Sequence, residues 1–425
     1  MTSHPLQQIV GDIWLSPDLI GDFTDICDTG GRVAGTESEA AAQELLMRKV
    51  AELGGEVTTQ EFTVRGRRST SHGVTLVDTG RVLESYPLLN CADTNGPLTL
   101  EVVDLGRGTP VDFEGAKHLI AGRAVLVRHE FPFSTNHVHR GVKYALAQEY
   151  GAKALLVGNN QPGAGPVSGS GGSGDETDIP AFGLSFDSAQ EIMTASAYGT
   201  ATVTVSNASS AHEWVGRNIF AHWPGSTDER VVLSAHIDGH GLAESAMDNG
   251  TGLATVLEVA RRLAPHSASF TRGLTLALFT FEEWALTGSK EYVDTLSEAE
   301  RALVYCNINV DTPVGYPRVF GLTAGNPRIL ELLRRASRAG GTPVQPIYAY
   351  TSNSDHFNFL EAGIPAVRLI GGYNDDAATS RLLLTAADTR HRVEPLDLRH
   401  GAMVTATIAL EALTGESIDA TAPAA

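Results

Sequence analysis

Acidic and imidazole side chains follow three apolar runs of this sequence, at the point where each run ends. "VVLSA" is followed by His236 and Asp238, and "LTLALFTF" is followed by Glu282 and Glu283. The third run, "NINV", is followed by Asp311. If these runs are strands of one parallel sheet, their carboxyl ends share an edge, which is where such sheets bind ligands. The pattern therefore predicts one crevice that collects side chains from distant parts of the chain.

The residue types in this crevice indicate a metal site. Carboxylates crowded into a partly dry crevice repel one another unless a positive charge lies among them. Imidazole and carboxylate together suit Zn²⁺ or a similar divalent ion. Asp248, in "HIDGHGLAESAMDNGTG", adds another carboxylate, although it stands before a predicted helix and could equally be an N-cap. Each residue alone has an ordinary structural explanation, but their coincidence at strand ends favours metal binding.

Alternating strand and helix patterns predict the fold that positions this crevice. From Val231 onward, the strand "VVLSA", the helix "GTGLATVLEVARRLA", the strand "LTLALFTF", the helix "SKEYVDTL" and the strand "LVYCNINV" follow one another. Continuously apolar strands that alternate with helices are typical of a mostly parallel sheet covered on both faces. The sequence therefore predicts an α/β fold with a mostly parallel central sheet and helices on both faces.

A stretch with a different pattern of predicted elements precedes this α/β region. Short β-rich runs such as "LTLEVVDLG" and "KALLVGNN" are broken by Gly and Pro, and one helix, "VKYALAQEYGA", interrupts them. Near the N-terminus, by contrast, "ESEAAAQELLMRKVAELGG" has helical spacing and "EVTTQEFTV" alternates like a strand. We expect a discontinuous main domain, residues 1–85 and 207–425, and a small β-rich domain inserted at residues 86–206.

The bulk composition excludes several classes of protein. The chain has 31 Lys and Arg against 50 Asp and Glu, a formal net charge of −19, which argues against nucleic acid or an anionic membrane as its main partner. No run of about 18 apolar residues suggests a membrane-spanning helix, and we expect no signal peptide. The three cysteines are too few and too scattered for a disulfide framework. We therefore expect a soluble, cytoplasmic protein.

Several motifs resemble those of a known family. "HIDGH…SAMDNGTG", "FTFEEWALTGSKEY", "INVDTPVG" and "SDHFNFLEAGIPAVRL" resemble, in order and spacing, the motifs of the M28 family of co-catalytic zinc aminopeptidases and carboxypeptidases. The opening "GGRVAGTESEAAAQEL" resembles the N-terminal segment of that family, and the β-rich insertion is similar to a protease-associated (PA) domain. The resemblance covers nearly the full chain. It implies a zinc-peptidase-like fold and a metal-dependent hydrolase of amide or peptide bonds.

The resemblance also implies two metal sites that share one carboxylate. His236, Asp248 and Asp311 would hold one metal. The other would be held by Asp248, by Glu283 and by a histidine in an HTxxDT-like motif near the C-terminus. The matching segment here is "LTAADT", which has Leu384 in place of that histidine. Because leucine cannot ligate a metal, the second site is incomplete.

Three outcomes stay open for this second site. The protein holds a single zinc ion, which we favour, or a nearby histidine replaces the missing ligand. The candidates for such a replacement are His240, His356 and His391. In the third outcome, an all-oxygen second site favours Mn²⁺ or Mg²⁺.

In the same resemblance Glu282 is the general base and Asp238 supports the ring of His236. Glu282 would take a proton from the water that attacks the amide carbonyl and return it to the leaving nitrogen. We expect an aminopeptidase or small-peptide hydrolase that acts on a peptide or small amide. The alternatives are a non-peptidase amidohydrolase or a glutaminyl-cyclase-like enzyme with a single metal, and a non-catalytic binding or scaffold protein.

Two further features of the resemblance leave their roles open. The PA-like insertion could cap the cleft, restrict access to short substrates or mediate a homodimer. Arg368, which follows "GIPAV", could meet a substrate carboxylate, and it is at least as readily explained as a surface or structural arginine.

Overall fold

A computed structural model describes residues 5–175, 177–315 and 318–418 of the chain. The chain forms two compact units. The first unit consists of Met1–Phe62, Val215–Leu383 and Asp388–Ala425, and the second of Thr63–Trp214 and Leu384–Ala387. Both ends of the predicted insertion, residues 86 and 206, lie inside the second unit.

Helices and strands alternate along most of the described chain. The helices are α1 (Pro5–Leu15), α2 (Asp18–Asp28), α3 (Glu37–Glu52), α4 (Pro110–Ile120), α5 (Arg140–Glu149), α6 (Phe186–Tyr198), α7 (Thr251–Leu263), α8 (Thr287–Thr295), α9 (Glu298–Ala302), α10 (Pro327–Gly340), α11 (His356–Glu361) and α12 (Pro395–Thr414). The strands are β1 (Glu56–Leu76), β2 (Arg81–Leu83), β3 (Ser85–Pro87), β4 (Leu98–Asp104), β5 (Ala124–Arg128), β6 (Ala154–Gly158), β7 (Ala181–Leu184), β8 (Thr202–Trp223), β9 (Arg230–His236), β10 (Gly273–Phe279), β11 (Val304–Val310), β12 (Val319–Leu322), β13 (Gln345–Ile347) and β14 (Ala366–Gly371).

The first unit is built on a mostly parallel sheet, which confirms the predicted fold class. Its strand order is β13-β12-β14-β11-β9-β10-β8. The four strands β14, β11, β9 and β10 run parallel, whereas β8 and β12 are antiparallel to their neighbours β10 and β14. On one face, Val232 and Phe279 pack with Val293 of α8 and Phe359 of α11. Helices α7 and α12 contact each other and β9, and they form the other helical layer.

Register explains why the strand ends meet at one edge of this sheet. Strands β10 and β11 are buried along their whole length, so their apolar runs are continuous rather than alternating. In the parallel pairing, Phe279 lies opposite His236 and Asn309 lies opposite Ser234. The residues that follow β10 and β11 therefore lie beside the end of β9.

The second unit contains more helix than the sequence predicts. Its sheet has the order β8-β4-β5-β6-β7-β3, in which β4 to β7 are parallel. The expected single helix is α5, and α4 and α6 are additional, so the one-helix prediction is wrong. Both additional helices begin with a capping residue: Thr109 forms a capping box with Asp112, and the side chain of Ser185 accepts a hydrogen bond from the Ser188 amide. Such caps are helix-start signals that composition alone does not reveal.

Two further observations concern the thiols and the helices. Cys27, Cys91 and Cys306 are free and buried. Within residues 5–175, 177–315 and 318–418, no helix combines the length and the apolar character needed to cross a membrane.

Candidate metal centre

The carboxyl ends of β9, β10 and β11 bring together three of the predicted site residues, His236, Glu282 and Asp311, whereas Asp248 and Glu283 lie outside this group. His236 is the last residue of β9, Asp311 directly follows β11, and the acidic pair Glu282 and Glu283 follows β10. All four side chains are buried. In the part of the chain that the structure describes, His236, Glu282 and Asp311 form the one group of three residues whose potential ligand atoms all lie within 4.8 Å of one another.

His236 presents one ring nitrogen to two carboxylates. Its Nε2 lies 3.0 Å from Oδ1 of Asp248 and 3.7 Å from Oδ1 of Asp311. Its Nδ1 lies 3.0 Å from the main-chain carbonyl of Asp238. Because a carbonyl oxygen only accepts hydrogen bonds, Nδ1 carries the proton and Nε2 is the nitrogen left for a cation.

The carboxylate of Asp238 contacts the acidic pair rather than the imidazole. Its Oδ1 accepts a hydrogen bond from the Glu282 amide at 2.9 Å, and its Oδ2 accepts one from the Glu283 amide at 3.2 Å. The carboxylate is 3.9 Å from Nδ1 of His236, too far for a hydrogen bond. Asp238 therefore fixes the main chain of the acidic pair with its carboxylate and the histidine ring with its carbonyl. Burial raises the pKa of the Asp238 carboxyl to about 7.

Arg368 is buried and bound to Asp311, so it is a structural arginine and not a surface one. Its Nη2 lies 2.7 Å from Asp311 Oδ2, and both side chains are only 2% exposed. The Ser354 hydroxyl donates to the same oxygen at 2.6 Å. The other oxygen of the Asp311 carboxylate, Oδ1, faces His236 and lies 3.7 Å from its Nε2. Burial raises the pKa of Asp311, but Arg368 and His236 outweigh that effect and hold the pKa below its usual range.

The site carries an excess of negative charge. Burial raises the pKa of Glu282 well above its usual value, and the neighbouring carboxylates Glu283, Asp311 and Asp355 raise it further. Burial lowers the pKa of His236, but the carboxylates of Glu282, Asp248 and Asp311 together raise it well above its usual value. The carboxylates outnumber the cationic partners, so the donor set fits a divalent cation of the zinc type.

Two residues that the sequence interpretation missed hold the turn that carries Asp248. This turn, Ala246–Gly250, precedes α7. The amide of Asn249 donates to the Val310 carbonyl at 2.9 Å, and its Oδ1 accepts from the Thr312 main chain at 3.2 Å. From another side, Asp388 accepts hydrogen bonds from the amides of Met247 at 2.7 Å and Asp248 at 3.3 Å. Asn249 belongs to "DNG" and Asp388 to "LTAADT", so both lie within motifs visible in the sequence.

None of the three candidate replacement histidines joins the described cluster of ligand atoms. His391 is exposed. His240 is buried, with Nε2 3.7 Å from Asp388 Oδ2. His356, on α11, is also buried, and burial together with Arg368 lowers its pKa to about 3. Leu384, at the expected ligand position, is buried with a φ of 60°, and its carbonyl accepts a hydrogen bond from the Ser168 amide at 2.6 Å.

Comparison with known proteins gives two family matches. Residues 218–408 match peptidase family M28, and residues 91–192 match the PA domain. The chain is 29% identical over 246 residues to leucine aminopeptidase 2 of Trichophyton rubrum, a match that covers 55% of this chain and 48% of that protein. The chain thus spans about half the length of these leucine aminopeptidases.

Two other likenesses extend over most of the chain. It is 27% identical over 399 residues to aminopeptidase YwaD of Bacillus subtilis, which covers 89% of this chain and 81% of that protein. The structure of a peptidase M28 precursor from Shewanella amazonensis has a TM-score of 0.81 at 20% identity, over 98% of both chains. The two structures therefore share a fold.

Proposed function

From the match of residues 218–408 to peptidase family M28, we propose that the chain is a metal-dependent aminopeptidase whose active site lies at the ends of β9, β10 and β11. The observation that carries the proposal is the buried cluster of His236, Glu282 and Asp311, whose potential ligand atoms lie within 4.8 Å of one another. A peptide or small amide is the proposed substrate. The names of the aminopeptidases to which the chain is similar support this choice.

His236, Asp248 and Asp311 are the residues that would hold the metal ion. When bound, such an ion lowers the pKa of water and polarises the amide carbonyl. Arg368 and Ser354 occupy Oδ2 of Asp311 and leave Oδ1 on the side of His236. The fixed Nδ1–H of His236 likewise keeps Nε2 directed towards the carboxylates.

Glu282 is the proposed general base. Its carboxylate is buried beside His236 and Asp311, and its main chain is fixed by Asp238. Burial raises its affinity for a proton, which suits a group that takes a proton from the attacking water and returns it to the leaving nitrogen.

We propose one zinc ion rather than two. Glu283 would belong to the second site, whose expected histidine is replaced by Leu384. His391 is exposed, and His240 and His356 lie outside the described group of His236, Glu282 and Asp311. Rescue by one of these histidines and an all-oxygen second site are the competing outcomes, and a count of bound metal separates them from the single-zinc proposal.

Glu282→Gln tests the base directly. The substitution keeps the shape of the side chain and removes its ability to accept a proton, so hydrolysis of an aminoacyl amide should fall by about 10²–10⁴-fold. Zinc binding should persist, because His236, Asp248 and Asp311 are unchanged. Glu44→Gln, at an exposed position of α3, is the matched control and should keep full activity. Unchanged turnover of Glu282→Gln would refute the assignment.

The choice of substrate separates the competing functions. An aminopeptidase should lose its activity when the α-amine of the substrate is acetylated, whereas a general amidohydrolase should not. A protein that binds no divalent ion and hydrolyses neither substrate would be a scaffold. The cytoplasmic location and the homodimer stay predictions.

A further inference from the structure

A buried arginine from the N-terminal part of the chain contacts the loop that links the proposed metal ligands. Arg32 lies between α2 and α3, and its side chain is fully buried. Its Nε donates to the Ile237 carbonyl at 2.9 Å. Its Nη1 donates to the Glu244 carbonyl at 2.8 Å and its Nη2 to the Ser245 carbonyl at 2.6 Å. One guanidinium therefore binds three carbonyls of the segment 237–245.

The bound carbonyls lie at both ends of this segment, which we call the ligand loop. Ile237 directly follows His236, and Ser245 directly precedes the turn Ala246–Gly250 that carries Asp248. Fixing the two ends of the loop also fixes the separation of the His236 ring from the Asp248 carboxylate. A loop that is ordered before the metal arrives does not lose this conformational freedom on binding.

The main chain around Arg32 fits the ligand loop closely. The Gly239 amide donates to the Arg32 carbonyl at 3.1 Å. A Cβ atom at Gly31 would lie 2.1 Å from the His240 carbonyl oxygen, so only glycine allows this approach. Arg32 itself has a φ of 54°, and its amide donates to the Ser38 hydroxyl at 2.9 Å. Ser38 thus helps to hold the arginine in a left-handed conformation that L-residues other than glycine seldom adopt.

We propose that Arg32 is a positioning residue for metal binding, which holds the ligand loop in the shape that brings Asp248 to His236. The inference rests on the proposed function, because it takes these two residues to be metal ligands. The guanidinium suits this role, since its donors point in several fixed directions and bind several carbonyls at once. A lysine keeps the charge but places it at a single point, so it cannot make the same set of bonds.

Arg272 offers a matched control within the same unit. It is also almost fully buried, and its Nη1 also donates to main-chain carbonyls, those of Ala412 at 2.8 Å and Gly415 at 2.9 Å. It directly precedes β10, at the opposite end of that strand from Glu282. Replacing it therefore disturbs a similar set of bonds without touching the ligand loop.

The experiment compares the zinc affinity of Arg32→Lys and Arg272→Lys with that of the wild type. Zinc is titrated against a chromophoric chelator, and circular dichroism gives the folded fraction of each sample. Arg32→Lys should weaken zinc binding by about 10- to 100-fold, as expected for residues that orient metal ligands. Arg272→Lys should lower the melting temperature and leave the zinc affinity of the folded protein unchanged.

Several outcomes would overturn the inference. If Arg32→Lys binds zinc as tightly as the wild type, or if Arg272→Lys loses as much affinity, Arg32 has no specific role in metal binding. If Arg32→Lys does not fold, Ser38→Ala takes its place, and unchanged zinc affinity of that variant refutes the role. If the wild type binds no zinc, the proposed function fails and the positioning role fails with it. If the wild type binds zinc and Arg32→Lys binds it equally tightly, only the positioning role fails.

Discussion

Replacing Arg368 with methionine should destabilise the metal-free protein more than the zinc-loaded protein. The guanidinium lies 2.7 Å from Asp311 Oδ2, and both side chains are 2% exposed. Methionine fills a similar volume without the charge, and it leaves the Asp311 carboxylate with the hydroxyls of Ser354 and Thr312 and with His236 as its remaining partners. Breaking a buried ion pair from one side costs about 3–5 kcal/mol.

Zinc should offset part of this loss. A bound divalent ion supplies positive charge to the same carboxylate, so the uncompensated charge exists mainly in the metal-free state. For a unit of about 270 residues, an unfolding entropy of about 2.1 cal/mol/K per residue makes 1 kcal/mol correspond to about 2 °C in Tm. The loss of Tm in EDTA should therefore be roughly 5–9 °C. The loss of Tm in saturating zinc should be clearly smaller, because zinc stabilises the variant more than it stabilises the wild type.

Thermal unfolding followed by circular dichroism, with and without zinc, measures both losses. Arg272→Met is the control, because Arg272 is equally buried and pairs with Glu229 at 2.9 Å, away from the ligand residues. Its loss of Tm should be the same in zinc and in EDTA. An equal loss in both conditions for Arg368→Met, or a loss below about 1 kcal/mol, would show that Arg368 does not compensate the charge of Asp311.

Two further variants test other parts of the structure. Burial, together with Arg140 and Lys143, lowers the pKa of His129 to about 3, whereas an unfolded histidine has a pKa of about 6.5. The folded state therefore binds fewer protons, and stability is lost as the pH falls from about 6.5 towards 3, by up to about 1.4 kcal/mol per pH unit for this group. In denaturant titrations between about pH 6 and 4, the free energy of unfolding of His129→Gln should fall less steeply with falling pH, by the contribution of one proton. An unchanged slope would contradict the assignment. Leu384→His restores the histidine of the family motif at a φ of 60°, which histidine tolerates. Elemental analysis should find a second zinc ion per chain, and an unchanged metal content would contradict the sequence-based assignment of Leu384 to the position of the missing histidine.

The parallel sheet and the convergence of the strand ends were predictable from the sequence. Strands buried on both faces are continuously apolar, so β9, β10 and β11 are visible as runs, and residues directly after such runs must share an edge. His236, Glu282 and Asp311 were found in this way. This inference needs only the type of each element and the position where it ends.

The contacts that orient these residues were not predictable. Arg32 binds carbonyls more than two hundred residues further along the chain, and the partner of Arg368 directly follows a different strand, β11. No local pattern of residues marks such pairs, and a charged residue in a strand is compatible with a buried ion pair and with a surface position alike. The contact of the Asp238 carboxylate with the acidic pair was not predictable for a similar reason, because the tight turn after β10 directs two amides at it.

The most direct test of the proposed chemistry is a zinc titration of metal-stripped protein in which bound zinc and hydrolysis of an aminoacyl amide are measured in the same samples. With His236, Asp248 and Asp311 as ligands and Leu384 at the position of the missing histidine, activity should rise with the first equivalent of zinc and reach its maximum at one ion per chain. Activity that appears only with a second equivalent, or stoichiometric zinc binding without hydrolysis, would contradict the single-zinc aminopeptidase.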